Sequence, residues 1–180
     1  ANAILKAAKR TKAKTIFLAC PNNPTGNRFS DAAMRKILEN VDAAVVIDEA
    51  YFSFSAKTFL PYLNKHRNMI ILRTLSKIGL AGLRIGVLTA SKEIVGELNK
   101  IRLPYNINTL SQAAGLVALR HGSTLNAQIS LLISERRKLY NALLRMPGVT
   151  PFPTETNFIL LWIELDATKV FQALKKRGIL

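Results

Sequence analysis

Cysteine is nearly absent from this chain. Of 180 residues only Cys20 carries a thiol, so no internal disulfide can form. One free thiol suits a reducing, cytoplasmic setting, and its plainest role is that of a buried core residue. Long apolar runs are missing as well. No segment approaches the roughly 18 consecutive apolar residues of a membrane-crossing helix. "FLAC" ahead of Pro21 faintly resembles a lipoprotein cleavage site, but its apolar run is shorter than the ~7–15 residues of a signal core. Aromatic residues are few, at 7%. They do not interleave with the basic clusters at 6–14, 100–102, 136–138 and 175–177, as a single-strand nucleic-acid binder would require. Acid is scarce: 11 Asp and Glu face 26 Lys and Arg, for a formal charge of +15. That balance favours solubility and leaves an acidic or phosphorylated partner open. Nucleic acid is not the expected one, and neither is a membrane.

What is present is enough for a core, with 49% hydrophobic residues. Residues 1 to 12 read as a helix and 15–19 as a buried strand. "PNNPTG" is a turn cluster. Ser30 caps a helix running to about residue 40. "AAVVID", "MIILRT" and "RIGVLTA" read as further strands, the last ending where Ser91 caps a helix to about 101. Strands spaced by helices or crossover loops predict an α/β fold with a mostly parallel sheet. In such sheets, sites gather beyond the carboxyl ends of the strands. Further on, the pattern predicts helices over 109–120 and 124–146, a strand at "TNFILLWIEL", and a helix over 167–177. The change of texture predicts a larger domain over 1–121 and a smaller α+β domain over 122–180. The chain begins at Ala1, without Met and already in helical pattern, and stops at "RGIL" just after a helix. A fragment of a longer protein is therefore expected.

Asp48 ends an apolar strand, where an unpaired carboxylate is costly. It suits three roles: capping the next turn, holding Mg²⁺ as the acidic strand of a P-loop ATPase, or facing a cationic ring nitrogen of a cofactor. No G-x-x-x-x-G-K-[ST] loop occurs in the chain. Lys77 comes just past the next strand, among apolar and small residues. A partly desolvated lysine loses proton affinity and becomes a usable nucleophile toward a carbonyl. Thr74 and Ser76 offer hydroxyls at the same strand end, and Arg84 a planar cation; together they suit a phosphate dianion. Asn23 in "PNNPTG" and Tyr51 can both hydrogen-bond a phenolate oxygen.

In order and spacing, "PNNPTG", "VVIDEAY", "RTLSK" and "AGLRIG" resemble the fold-type I pyridoxal-phosphate aminotransferases of class I/II, over about residues 15–87. "RLPYNINTLSQAA" and "ETNFILL" resemble the histidinol-phosphate aminotransferase branch more closely than other branches. The resemblance implies the pyridoxal-phosphate-dependent transferase fold, with residues 1–121 part of its large domain and 122–180 part of its small C-terminal one. It implies pyridoxal 5'-phosphate as cofactor and no metal. Lys77 would form the Schiff base and shuttle the proton. Asp48 would pair with the pyridine nitrogen, and Asn23 and Tyr51 with the ring O3′. Thr74, Ser76 and Arg84 would bind the phosphate. Asn106 and Asn157 would lie toward the substrate. The implied reaction converts histidinol phosphate and 2-oxoglutarate to imidazole acetol phosphate and glutamate, in histidine biosynthesis. Threonine-phosphate decarboxylase and aromatic aminotransferases are the alternatives within the family, and a basic nucleic-acid-binding ATPase the alternative outside it. Complete members are homodimers, and because the segment with the substrate-carboxylate arginine is missing, a fragment is expected to be inactive or nearly so. The loop from Lys77 to Arg84 is one residue shorter than the family often has. The upstream phosphate contacts and stacked ring, and the downstream carboxylate-binding arginine, have no counterpart here.

Overall fold

The computed structural model describes residues 1–179, so the last residue of "RGIL" lies outside it. Four strands form the main sheet in the order β1 (Thr15–Ala19), β2 (Ala44–Asp48), β3 (Met69–Thr74), β4 (Gly86–Ala90). The first three are parallel, with Ala19 opposite Asp48 and Asp48 opposite Leu72. The ladder continues past the strand ends. Cys20 N–H donates to the Asp48 carbonyl at 2.9 Å, and Glu49 N–H to the Leu72 carbonyl at 2.8 Å. These bonds fix the three carboxyl ends against one another. β4 returns antiparallel to β3 through a short connection closed by Leu75 N–H to the Ile85 carbonyl at 3.2 Å.

α1 (Asn2–Thr11) precedes β1, and α2 (Asp31–Glu39) lies between β1 and β2. Ser30 caps α2 by accepting from Ala33 N–H at 3.2 Å. Met34, Ile37 and Leu38, on one helical face, are buried against Val45, Ile47, Met69, Ile71 and Phe59. A short α3 (Phe52–Ser55) follows β2. Short 3-10 helices cover Leu60–Lys65, Ser76–Ile78 and Ala81–Leu83.

After the main sheet come α4 (Lys92–Ile101), α5 (Thr109–Arg120), α6 (Gly122–Leu143), a two-stranded antiparallel sheet of β5 (Val149–Pro151) and β6 (Leu161–Ile163), and α7 (Ala167–Lys176). α6 starts two residues earlier than its pattern predicts, because the His121 carbonyl already accepts from Thr124 and Leu125. "TNFILLWIEL" is strand only at its centre. The buried Thr156 hydroxyl engages Thr154 at 2.8 Å and the backbone of Phe158 at 3.2–3.3 Å, which curls that stretch out of any ladder. No helix among the described residues is long and apolar enough to cross a membrane.

Candidate active site

A cavity of about 230 Å³ opens at the carboxyl ends of β1 and β2. Ala19, Pro21 and Ala50 form its apolar wall, and Asn23, Asp48, Tyr51 and Lys77 supply its polar groups. Each polar group arrives by a distinct local device. Asp48 is the last residue of β2, and its Oδ1 accepts from Ala50 N–H at 2.9 Å, which turns the chain sharply. The turn brings Tyr51 back beneath the strand end. Tyr51 is buried, and its hydroxyl accepts from Asn23 Nδ2 at 3.0 Å. Its ring meets the edge of Phe158 at 5.3 Å, nearly perpendicular.

Asn23 sits in a turn closed by Gly26 N–H to the Asn22 carbonyl and Asn22 N–H to the Asn27 carbonyl, both at 2.8 Å. Lys77 lies in the 3-10 turn after β3, with Nζ 5.3 Å from the Tyr51 ring centroid. The sequence pattern predicts a desolvated lysine. The structure instead leaves Lys77 exposed at the cavity rim. The 3-10 turn lifts it clear of the apolar strand that precedes it.

Thr74 and Ser76 are hydrogen-bonded to each other at 3.0 Å, and Ser76 N–H donates to Thr74 Oγ1 at 3.1 Å. They stand beside Lys77 without lining the cavity. Arg84, in left-handed backbone with φ 55°, is exposed and donates to the Ala81 carbonyl at 3.3 Å. Asn106 accepts from Arg102 at 2.9 Å within an exposed loop, and Asn157 is exposed. The structure brings neither asparagine to the cavity. From the "ETNF" stretch, the contact comes through Phe158.

Sequence reasoning missed Phe158, and with it Glu49 and Arg73, which lie behind the strand ends. The signal for Glu49 was present: it follows Asp48, so strand alternation turns it to the opposite face.

The chemistry of the cavity's donors is specific. One carboxylate, one phenol–amide pair and one amine surround a small volume. That set fits a flat cationic heteroaromatic ring bearing a phenolate oxygen and an aldehyde. The neighbouring hydroxyls of Thr74 and Ser76 fit a phosphate attached to it. Among the described residues no three His, Cys, Asp or Glu gather as metal ligands.

The sequence pattern of aminotransferase class I and II matches residues 1–180. The histidinol-phosphate aminotransferase of Vesicomyosocius okutanii is 42% identical over 175 residues, which cover 97% of this chain and 49% of that protein. Histidinol-phosphate aminotransferase 2 of Bordetella parapertussis is 44% identical over 180 residues, 99% of this chain and 49% of that one. The solved histidinol-phosphate aminotransferase of Sinorhizobium meliloti, in complex with pyridoxal-5'-phosphate, superposes with a TM-score of 0.87 at 26% identity. That superposition covers 99% of this chain and 51% of the solved one. The chain spans about half the length of the curated relatives it matches. With a match along all of its residues, the chain belongs to the class I and II aminotransferases.

Proposed function

We propose that this chain carries the cofactor-lysine segment of a pyridoxal 5'-phosphate-dependent aminotransferase acting on histidinol phosphate and 2-oxoglutarate. The observation that carries it is the convergence of Lys77, Asp48 and the Asn23–Tyr51 pair on one cavity. The names of the relatives support histidinol phosphate as the amino donor. When bound, the cofactor supplies an electron sink for charge developing at the substrate Cα.

The chain's own groups do the rest. Lys77 Nζ would hold the cofactor at its aldehyde, and its free amine would be the base that takes the proton from the substrate Cα. Exposure of Lys77 in this chain lets substrate reach it. The Asp48 carboxylate would favour a protonated ring nitrogen, and the phenol of Tyr51, which Asn23 orients, would hydrogen-bond the ring oxygen. Thr74 and Ser76 bind phosphate with Arg84, whose guanidinium has five N–H donors and uses one on Ala81. Asn106 and Asn157 have no part in this proposal. Residues 1–121 are part of the large domain and 122–180 part of the small one. The complete enzyme is a homodimer, and the 180 residues alone turn over little substrate.

Borohydride trapping with pyridoxal 5'-phosphate, followed by peptide mapping, tests the assignment. A single reduced adduct on the Lys77 peptide, abolished in Lys77→Ala, is the expected result. Labelling scattered over many lysines, or none at Lys77, would overturn it.

A further inference from the structure

Asp48 and Glu49 are neighbours in sequence but face different cavities. Asp48 lines the one beside Lys77. Glu49 lines a second, of about 280 Å³, together with Phe52, Arg73 and Thr74. The Glu49 side chain is fully buried, 0% exposed. A lone carboxylate there would be very costly, yet both oxygens are hydrogen-bonded. Oε1 accepts from Phe59 N–H at 2.7 Å and from the Thr58 hydroxyl at 3.0 Å. Oε2 accepts from Arg73 Nη2 at 2.9 Å and Nε at 3.1 Å, and lies 2.8 Å from the Thr58 hydroxyl. The Arg73 guanidinium is in turn seated 3.7 Å from the centroid of the Phe52 ring.

Neither residue touches the Lys77 cavity, but each is joined to segments that do. Glu49 sits between Asp48 and the Ala50–Tyr51 turn. Arg73 immediately precedes Thr74, three residues before Ser76 and four before Lys77. Their bond therefore adds a side-chain tie, on the back of the sheet, to the Glu49 N–H to Leu72 carbonyl bond that joins the same two strand ends. A buried ion pair is a weak source of net stability, since apolar residues of the same size do as well. Its distinctive property is directional: Arg73 Nε and Nη2 both close on Oε2, and Nη2 also reaches the Thr58 hydroxyl at 2.7 Å, so three charge-assisted bonds orient the guanidinium.

We propose that Glu49 and Arg73 are positioning residues, an ion-pair clamp that sets the spacing between the Asp48–Tyr51 turn and the Thr74–Lys77 turn. Its consequence for cofactor affinity rests on the function proposed above; the clamp itself does not require cofactor.

Two readouts on the 180-residue chain separate these. The first is amide hydrogen exchange without cofactor, in Glu49→Gln and Arg73→Met. The Glu49→Gln variant keeps an acceptor for Phe59 while losing the charge that holds Arg73. Exchange at Ala50 and Ser76, whose N–H groups bond Asp48 and Thr74, is expected to rise about tenfold while the α2 amides stay protected. Unchanged Ala50 and Ser76, or an equal rise throughout the core, would overturn the clamp. The second is titration with pyridoxal 5'-phosphate. Affinity is expected to fall about 10- to 100-fold in both variants, because small misplacements of binding groups are costly. Arg73→Lys, which keeps the charge but not the fork, should recover only part of it. Unaltered affinity in folded variants would also overturn the proposal. If the wild-type chain forms no adduct at Lys77, the proposed function fails, and exchange alone decides the clamp.

Discussion

At the scale of single residues, this structure separates chemistry that shows in the sequence from chemistry that does not. Lys77 and Asp48 are legible because each is a charge set at the end of an apolar strand. Glu49 is legible only as a partner of Asp48, and its function on the far face needs Arg73, 24 residues away, to be seen beside it. Cys20 is the opposite case, a reactive group made inert. It is fully buried, and burial pushes its thiol above the ordinary value of 9.0, outweighing the opposing backbone contact at Phe29 and the Arg28 charge. The folded chain holds the thiol neutral while the unfolded chain ionises it. The stability linked to Cys20 is therefore intact below pH 9.0 and is lost as pH rises beyond it. Comparing melting of wild type and Cys20→Ala from neutral to alkaline pH isolates this effect. The wild type should lose stability faster on the alkaline side. Parallel curves would show that the thiol titrates alike in both states.

At the scale of elements, the "PNNPTG" turn is where backbone geometry positions a site residue. Gly26 has φ +73°, and a Cβ there would lie 2.5 Å from Thr154 Oγ1 and 2.8 Å from Thr154 Cβ. Its carbonyl also accepts from Glu155 N–H at 2.7 Å, so the turn is locked onto the chain that leads to Phe158. Gly26→Ala should cost about 2 kcal/mol or more, from left-handed strain plus the clash. It should also lower trapping at Lys77 by shifting Asn23 off Tyr51. Gly82, with open space around it and no left-handed φ, is the control. A urea midpoint lowered in Gly26→Ala but not in Gly82→Ala confirms the assignment; equal midpoints refute it. The elements themselves were readable where apolar runs are bounded by turn residues, as in β1, β2 and β3. The reversal of β4 was not, because an apolar run carries no direction. The three-residue β5 contains Pro151 and has no run to detect. In "TNFILLWIEL" a single buried hydroxyl, that of Thr156, overrides strand propensity for half the segment. Asn106 and Asn157 were placed by resemblance alone, and the structure puts both outside the cavity, as it does Arg84.

At the scale of the whole molecule, two opposing surface terms meet. β1 and β4 are both sheet edges. Large apolar side chains stand exposed at Phe17 of β1 and from the end of α4 through α5, including Ile101, Leu103 and Leu110, the last 83% exposed. Open edges and contiguous apolar surface favour self-association. A formal charge of +15 opposes it. The two terms respond differently to salt. The Debye length shrinks from about 30 Å at 0.01 M to about 8 Å at 0.15 M, so repulsion between chains fades while apolar attraction does not. The 180-residue chain is therefore expected to sediment as a monomer at low ionic strength and to associate as salt rises. Sedimentation velocity across that range decides which term governs. A monomer at every salt concentration would mean that the apolar surface is too dispersed to pair. Association that weakens with added salt would mean that charge attraction, not apolar contact, holds the chains together.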